Sequence, residues 1–367
     1  MINKKIAIVH DWLFTIGGAE KTLFAILEKI EADIYTLGYN PQNFLNTPIK
    51  NFKISTSFLQ QLPFFKRFYR YFLPLFPITI EQFDLSNYDI IISSSHAVAK
   101  GVLTNPDQYH ICYCYTPIRY AWDLYHDHIK LFPKFLQPLI VLFLHYIRIW
   151  DIASTYRVDK LIAISKYVAK RIRKYYNKEA EVIYPPVEID RFELETKKDN
   201  YYVTVGRLVP YKRFDLIIKA FRLMPDKKLI VIGDGPELKK LKRNASKNIE
   251  FLGWQPDSVV KLYLQKAKGF IYAALEDFGI AVIEAQACGT PVIVYGKGGT
   301  LETVKANKTG IFFFKQEPPS IIEAINKFER MYENFNPEYI RKWTLRFNKD
   351  RFQKEFQSLL GKVIDTK

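Results

Sequence analysis

Residues 270–301, FIYAALEDFGIAVIEAQACGTPVIVYGKGGTL, constrain this chain more than any other stretch. Gly269 to Ala273 is a short apolar run that reads as a buried strand. A helix carrying Ile280, Val282, Ile283 and Ala287 follows and breaks at Cys288-Gly289-Thr290-Pro291. Val292-Ile293-Val294-Tyr295 then reads as a second buried strand. Strand, helix, strand of this size is a βαβ unit with a right-handed crossover. The chemistry falls at its first junction. A helix N-terminus leaves backbone N–H groups unpaired and carries positive partial charge, so it suits a phosphate. Gly279 lets backbone come close to a ligand there. Glu276 precedes the helix, and Glu284 lies just over one turn inside it, placed to accept from hydroxyls near that phosphate. Spacing alone would leave both as solvated charges.

At 367 residues the chain can bury two substantial cores. Its charge is the unusual quantity: 54 Lys and Arg stand against 38 Asp and Glu, a net +16. So basic a chain expects an anionic partner, whether nucleic acid, an anionic membrane or a phosphorylated substrate. Three cysteines suit a reducing cytoplasm. Cys112-Tyr113-Cys114 has no second pair beside it, so these read as buried strand cysteines, and no metal site is expected. Ile6–Val9 is too short for a signal peptide.

Ile6–Val9 reads as the first strand of a parallel sheet. A loop ending in Gly17-Gly18 follows, then a helix with Leu23, Phe24, Leu27 and Ile30 on one face. Glycines between a first strand and a first helix suit close approach to a diphosphate, although a plain turn is as common. The three-glycine dinucleotide fingerprint is missing, which argues against a nicotinamide enzyme. In residues 58–77, Phe64, Phe65, Phe68, Tyr69, Phe72 and Leu73 are interleaved with Lys66, Arg67 and Arg70. This is either a basic amphipathic segment for an anionic membrane surface or a helix tucked into the core. Tyr88–Ile92 ends in Ser93-Ser94-Ser95-His96, where parallel folds bind ligands; His96 is either a ligand contact or a satisfied, capped histidine. Residues 109–123 repeat the pattern and bring Tyr115. Residues 129–150 hold the longest apolar run, stopped short of a span by Pro133, Pro138, His145 and Arg148, and read as a buried or interfacial helix.

Pro185-Pro186 bar helix and stiffen the chain, so the boundary falls there: 1–185, then 186–346, then a terminal helix over 347–367. The second part opens with a strand ending at Gly206-Arg207. Arg207 and Lys212 bracket a strand-to-helix loop, where two fixed cations could neutralise a leaving diphosphate. Phe251-Leu252-Gly253-Trp254 closes a later strand.

Glu276 and Glu284, as E-x7-E before the Cys-Gly-Thr-Pro-Val turn, together with Gly206-Arg207 and Lys212 as G-R-x4-K, resemble the signatures of family-4 retaining glycosyltransferases. SSSHAVAKG followed by CYCYTPIRYAWDLYHD resembles in particular the WbaZ-type O-antigen mannosyltransferases. The resemblance implies the α/β GT-B fold, two Rossmann-like domains with parallel sheets facing across a cleft that closes to exclude water, with the terminal helix crossing back to the first, acceptor-side and membrane-facing domain. It implies donor binding by Gly17, Gly18, Arg207, Lys212, the backbone of Phe278, Gly279 and Ile280, and Glu284 on the ribose. Gly253 and Trp254 would seat the base. Glu276 would face the donor sugar, with His96 and Tyr115 as catalytic residues of the first domain. Tyr115 stands where the family has a histidine in His-Thr-Pro, and tyrosine does not readily carry a proton at neutral pH.

The function so implied is transfer of mannose from GDP-mannose to a lipid-linked saccharide in O-antigen or other polysaccharide synthesis, by an enzyme peripheral on the cytoplasmic face of the cell membrane. No Asp-x-Asp motif is present, so neither metal nor cofactor is expected; the nucleotide-sugar is a substrate. A UDP-sugar donor is the alternative. The rival classes are a basic nucleic-acid-binding protein, against which stands the lack of any nucleic-acid motif, and a sugar-nucleotide binder without catalysis.

Overall fold

The chain changes sheet at Pro185-Pro186. The computed structural model describes residues 4–365, which fall into two units, one running up to Pro186 and resumed from Phe352 onward, the other Val187–Arg351.

Among the described residues the first unit holds seven parallel strands. They are β1 (Ile6–His10), β2 (Asp33–Thr36), β3 (Ile54–Thr56), β4 (Ile90–Ser95), β5 (Tyr109–Cys114), β6 (Lys160–Ala163) and β7 (Glu181–Val182), in the order β3-β2-β1-β4-β5-β6-β7. The central strands are buried on both faces; every residue of β4 is covered. That explains their unbroken apolar runs. Buried polar residues among them are paired, as Ser93 Oγ is with His110 Nε2 at 2.8 Å. From Phe352 the terminal helix (Lys349–Asp365) belongs to this unit. Phe352 and Phe356 set their rings against Tyr113, and Gln353 Nε2 donates to the Ala25 carbonyl at 3.0 Å.

Residues 58–80 send one set of side chains into the core and leave another exposed. The segment is four short helical pieces, Phe58–Gln61, Phe65–Phe68, Tyr69–Leu75 and Phe76–Ile80, with Phe64 left-handed (φ 64°) ahead of the second and Pro74 inside the third. Leu59, Phe65, Phe76 and Ile80 enter the core, whereas Phe64, Phe68, Tyr71, Leu75 and Ile78 face outward with Lys66, Arg67 and Arg70. The apolar run after residue 129 is the helix Gln137–Thr155, which buries Leu144, Ile147 and Trp150 in that same core.

The second unit has six parallel strands: β8 (Asp199–Val205), β9 (Leu229–Ile232), β10 (Ile249–Gly253), β11 (Ala267–Tyr272), β12 (Val292–Tyr295) and β13 (Gly310–Phe313), ordered β10-β9-β8-β11-β12-β13. The helices Phe214–Arg222 and Pro318–Arg330 cover it through Phe221, Ile325 and Phe328. The order reverses between β1 and β4 in the first sheet and between β8 and β11 in the second. In open parallel sheets, ligands bind outside the carboxyl ends of strands at such a reversal. Both groups of candidate residues stand at those points.

Candidate active site

In the second unit, the loops after β8 and β11 bring Lys212 to Glu276. Lys212 Nζ lies 3.7 Å from Glu276 Oε1, and the Tyr272 hydroxyl donates to that oxygen at 2.6 Å. Lys212 Nζ also sits 5.6 Å from the centre of the Tyr272 ring. Burial, and then the adjacent Glu276 carboxylate, hold the Tyr272 hydroxyl well above the usual phenol range, so it remains a donor. The carboxylate is therefore held from two sides while staying partly open to solvent. Its backbone is fixed as well, because Glu276 pairs with Gly298 and its carbonyl accepts from Gly299 N at 2.8 Å. A Cβ on Gly299 would come within 2.5 Å of Asp277 O and of Phe278 Cα, so only glycine lets the two loops pack.

The helix Ile280–Ala287 starts directly after this carboxylate, with Gly279 as its N-cap at φ 95°. That conformation suits glycine; the Val282 amide already donates to the Gly279 carbonyl at 3.0 Å, which leaves those of Ile280 and Ala281 as the donors at the helix start. Phe278 is buried against Phe347. Glu284 lies one turn into the helix and is partly covered. Its charge, after that of Asp257, keeps Arg191 ionised more firmly than usual against partial burial. Arg207 is exposed and, among the described residues, has no side-chain hydrogen bond or ion pair, which marks a cation free for an anion. The structure thus unites Lys212, Glu276 and the helix start, and Arg207 follows Gly206, where a Cβ would lie 3.4 Å from Lys212 Nζ. Gly253 ends the edge strand β10 and Trp254 follows it, 74% exposed.

In the first unit the register of β1 on β4 sets His10 opposite Ser94. His10 Nδ1 is 3.0 Å from Ser94 Oγ, and His10 Nε2 is 3.4 Å from Glu20 Oε1. Asp11, fully buried, accepts from the backbone amides of His96, Ala97, Val98 and Ala99 at 2.6–3.0 Å, and its Oδ2 lies 2.9 Å from His96 Nδ1. Burial works against charge on both groups, but their mutual attraction prevails: Asp11 is held below, and His96 above, its ordinary range. The His96 ring stays partly exposed, with the Trp12 ring edge-on at 4.6 Å.

Two sequence expectations look different here. The Tyr115 hydroxyl donates to the Ala19 carbonyl at 2.9 Å and pairs with Ser94 Oγ at 2.9 Å, and burial pushes it far above the usual phenol range. It braces the network that surrounds His10. At Gly17-Gly18 the Gly17 amide already donates to Glu20 Oε2 at 2.7 Å. A carboxylate therefore occupies the helix end that a diphosphate would need, leaving the amides beyond Gly17 as the remaining donors. His10, Asp11, Glu20 and Tyr272 escaped the sequence reading. The only signal for the first three was a His-Asp pair at the end of an apolar strand.

Residues 16–191 match the family described as Glycosyltransferase Family 4, and residues 187–342 match Glycosyl transferases group 1. Among curated relatives, an uncharacterized glycosyltransferase of Methanocaldococcus jannaschii is 32% identical over 208 residues, 55% of this chain and 57% of the relative. A GDP-mannose-dependent alpha-(1-6)-phosphatidylinositol monomannoside mannosyltransferase of Mycolicibacterium smegmatis is 30% identical over 46% of this chain and 52% of its own length. The chain spans about half the length of the curated relatives it matches. Among solved structures, Anabaena HepE in complex with UDP superposes with a TM-score of 0.72 over 98% of this chain and all of its own, at 16% identity, a likeness of fold. The chain is thus similar to family-4 glycosyltransferases over its first unit and to group 1 glycosyl transferases over its second, each match covering under half of it, and its two parallel-sheet Rossmann-like units have the GT-B fold.

Proposed function

We propose that this chain is a metal-independent retaining glycosyltransferase that moves mannose from GDP-mannose to a lipid-linked saccharide, in the assembly of an O-antigen or similar polysaccharide at the cytoplasmic face of a membrane. The observation that carries this reading is Glu276, held by Tyr272 and Lys212 beside the start of the Ile280–Ala287 helix. When the bond from the sugar to the diphosphate breaks, positive charge grows on the sugar and negative charge on the departing oxygen. A fixed carboxylate favours the first, and Arg207, Lys212 and the first-turn amides favour the second. The acceptor hydroxyl attacks from the face the diphosphate leaves, which retains configuration. Glu284 accepts from the ribose hydroxyls.

Mannose and a lipid-linked acceptor are supported by the M. smegmatis relative, which by its name uses GDP-mannose and a phosphatidylinositol monomannoside. A UDP-sugar donor is the second reading, supported by the fold of HepE, which was solved with UDP. Thermal unfolding with GDP-mannose, GDP, UDP-glucose and UDP separates the two. A ligand at ~100 times its Kd adds about 2.7 kcal/mol of stability. We expect stabilisation by the guanosine ligands, and transfer of mannose to a lipid-linked saccharide in a coupled assay. Stabilisation by the uridine ligands alone selects the second reading, and stabilisation by none of them removes both.

A further inference from the structure

The first unit carries far more exposed apolar surface than its sheet requires. The helix Gln137–Thr155 buries Leu144, Ile147 and Trp150 but leaves Leu139, Leu142, Tyr146 and Ile149 outward, with Leu139 and Leu142 63% and 66% exposed. Leu131 and Phe135 extend this surface before the helix begins. By length and composition Lys134–Thr155 could cross a bilayer. It does not have the geometry for it, because its inner face is committed to the core and carries Asp151, which pairs with Lys100 Nζ at 2.6 Å. A helix with one face in a protein core and one apolar face outward can lie in an interface but cannot be surrounded by lipid.

Charge identifies what covers that face. From His128 to Trp150 there is no acidic residue, while Lys130 and Lys134 stand exposed at its start. The other outward apolar group of this unit, Phe64, Phe68, Tyr71, Leu75 and Ile78, lies within a stretch from Ile34 to Ile80 that also lacks any Asp or Glu and exposes Lys66, Arg67 and Arg70. Both groups are backed by one core, in which Phe65, Phe76 and Ile80 meet Leu144, Ile147 and Trp150. The Trp150 indole N–H donates to Glu81 at 2.9 Å, tying the helix to the end of the 58–80 segment. A second copy of the chain would bring an equally basic, acid-free face to this one, which repels. An anionic bilayer offers apolar depth and opposite charge together.

We propose that the outward face of Gln137–Thr155, with the aromatic face of residues 64–78, seats this unit in the surface of an anionic membrane, the helix lying in the bilayer plane. This surface deepens the reading of a lipid-linked acceptor and rests on it for its purpose, though not for its physics. The long helix supplies apolar contact, and Lys66, Arg67 and Arg70 supply attraction to lipid phosphates.

The test uses the full chain and vesicles of phosphatidylglycerol and phosphatidylcholine, or of phosphatidylcholine alone. We expect binding to the anionic vesicles that weakens with salt. The combined variant Leu139→Gln, Leu142→Gln, Ile149→Gln should bind at least about tenfold more weakly with unchanged thermal unfolding and unchanged affinity for GDP. Because the three native cysteines are buried, Leu142→Cys can carry an environment-sensitive fluorophore, which should shift to the blue on anionic vesicles. Equal vesicle binding by wild type and triple variant, or a label that stays in water while the protein sediments with vesicles, overturns the proposal. So does a concentration-dependent dimer that the triple variant abolishes while vesicle binding persists. Vesicle binding without any nucleotide binding by the wild type would leave this surface standing and remove the glycosyltransferase reading.

Discussion

The Tyr272 hydroxyl and Glu276 Oε1, four residues apart across the end of β11, are joined by a 2.6 Å hydrogen bond. The bond turns the carboxylate away from free rotation and leaves Lys212 as its only cationic neighbour within 4 Å among the described residues. A hydrogen bond to a charged group is worth about 1.5–3 kcal/mol. Tyr272→Phe should therefore lower kcat by about tenfold or more while the affinity for nucleoside diphosphate stays near wild type. Steady-state kinetics beside calorimetric binding checks the split, and Tyr272→Phe turning over at the wild-type rate would remove the positioning role.

Arg207 and Lys212 should separate by their surroundings. Arg207 is exposed and unpaired, so Arg207→Ala should leave stability within about 0.5 kcal/mol and weaken nucleoside diphosphate binding by about tenfold. Lys212→Ala should weaken binding similarly and also lower kcat, because it releases Glu276. Calorimetric titration of GDP into both variants, with thermal unfolding, tests this. Wild-type affinity in both would show that the diphosphate sits elsewhere.

The Asp11–His96 pair predicts a pH dependence of stability with a definite sign. The folded-state pKa of His96 is raised above its ordinary 6.5, so its contribution is complete below that value and fades as pH rises through the raised one. The Asp11 pKa is lowered from 3.8, so its contribution is complete above that value and fades as pH falls through the lowered one. Both are complete together between about pH 3.8 and 6.5. The melting-temperature gap between wild type and His96→Gln should then be wider at the acid end of that window than in alkaline buffer. A gap that grows with rising pH would contradict the pairing.

Gly279→Ala forces a side chain into a φ of 95°. Strain of this kind costs about 1–3 kcal/mol, which thermal unfolding should report. It should also weaken GDP binding by tilting the first-turn amides. An unchanged melting temperature would mean that the loop can relax without using that conformation.

Much of the second unit was legible because its signals are local. Buried parallel strands are continuous apolar runs, so Phe270–Tyr272 and Val292–Tyr295 could be read directly, and Gly279 marks its helix start within the same short stretch. The first unit's polar network was not legible. His10 meets Ser94 and Asp11 meets the amides of residues 96–99 through the β1–β4 register, across more than 80 residues of chain. Tyr272 reads as strand core, and its ring is core; only its hydroxyl reaches the site. The division of residues 58–80 is not legible in the sequence, since the left-handed turn at Phe64 and the junction at Phe76 set which aromatic rings turn inward.

The central claim is that Glu276 serves the sugar and Glu284 the nucleotide. The direct measurement is calorimetric binding of GDP to Glu276→Gln and Glu284→Gln, paired with transfer kinetics on both. An interaction that strengthens only in the transition state lowers kcat when removed, whereas one made equally in the ground state mainly raises KM. Glu276→Gln should bind GDP nearly as wild type and turn over far more slowly, and Glu284→Gln should bind GDP weakly with a raised donor KM. Wild-type turnover by Glu276→Gln, or loss of GDP binding in that variant instead of in Glu284→Gln, would contradict the assignment.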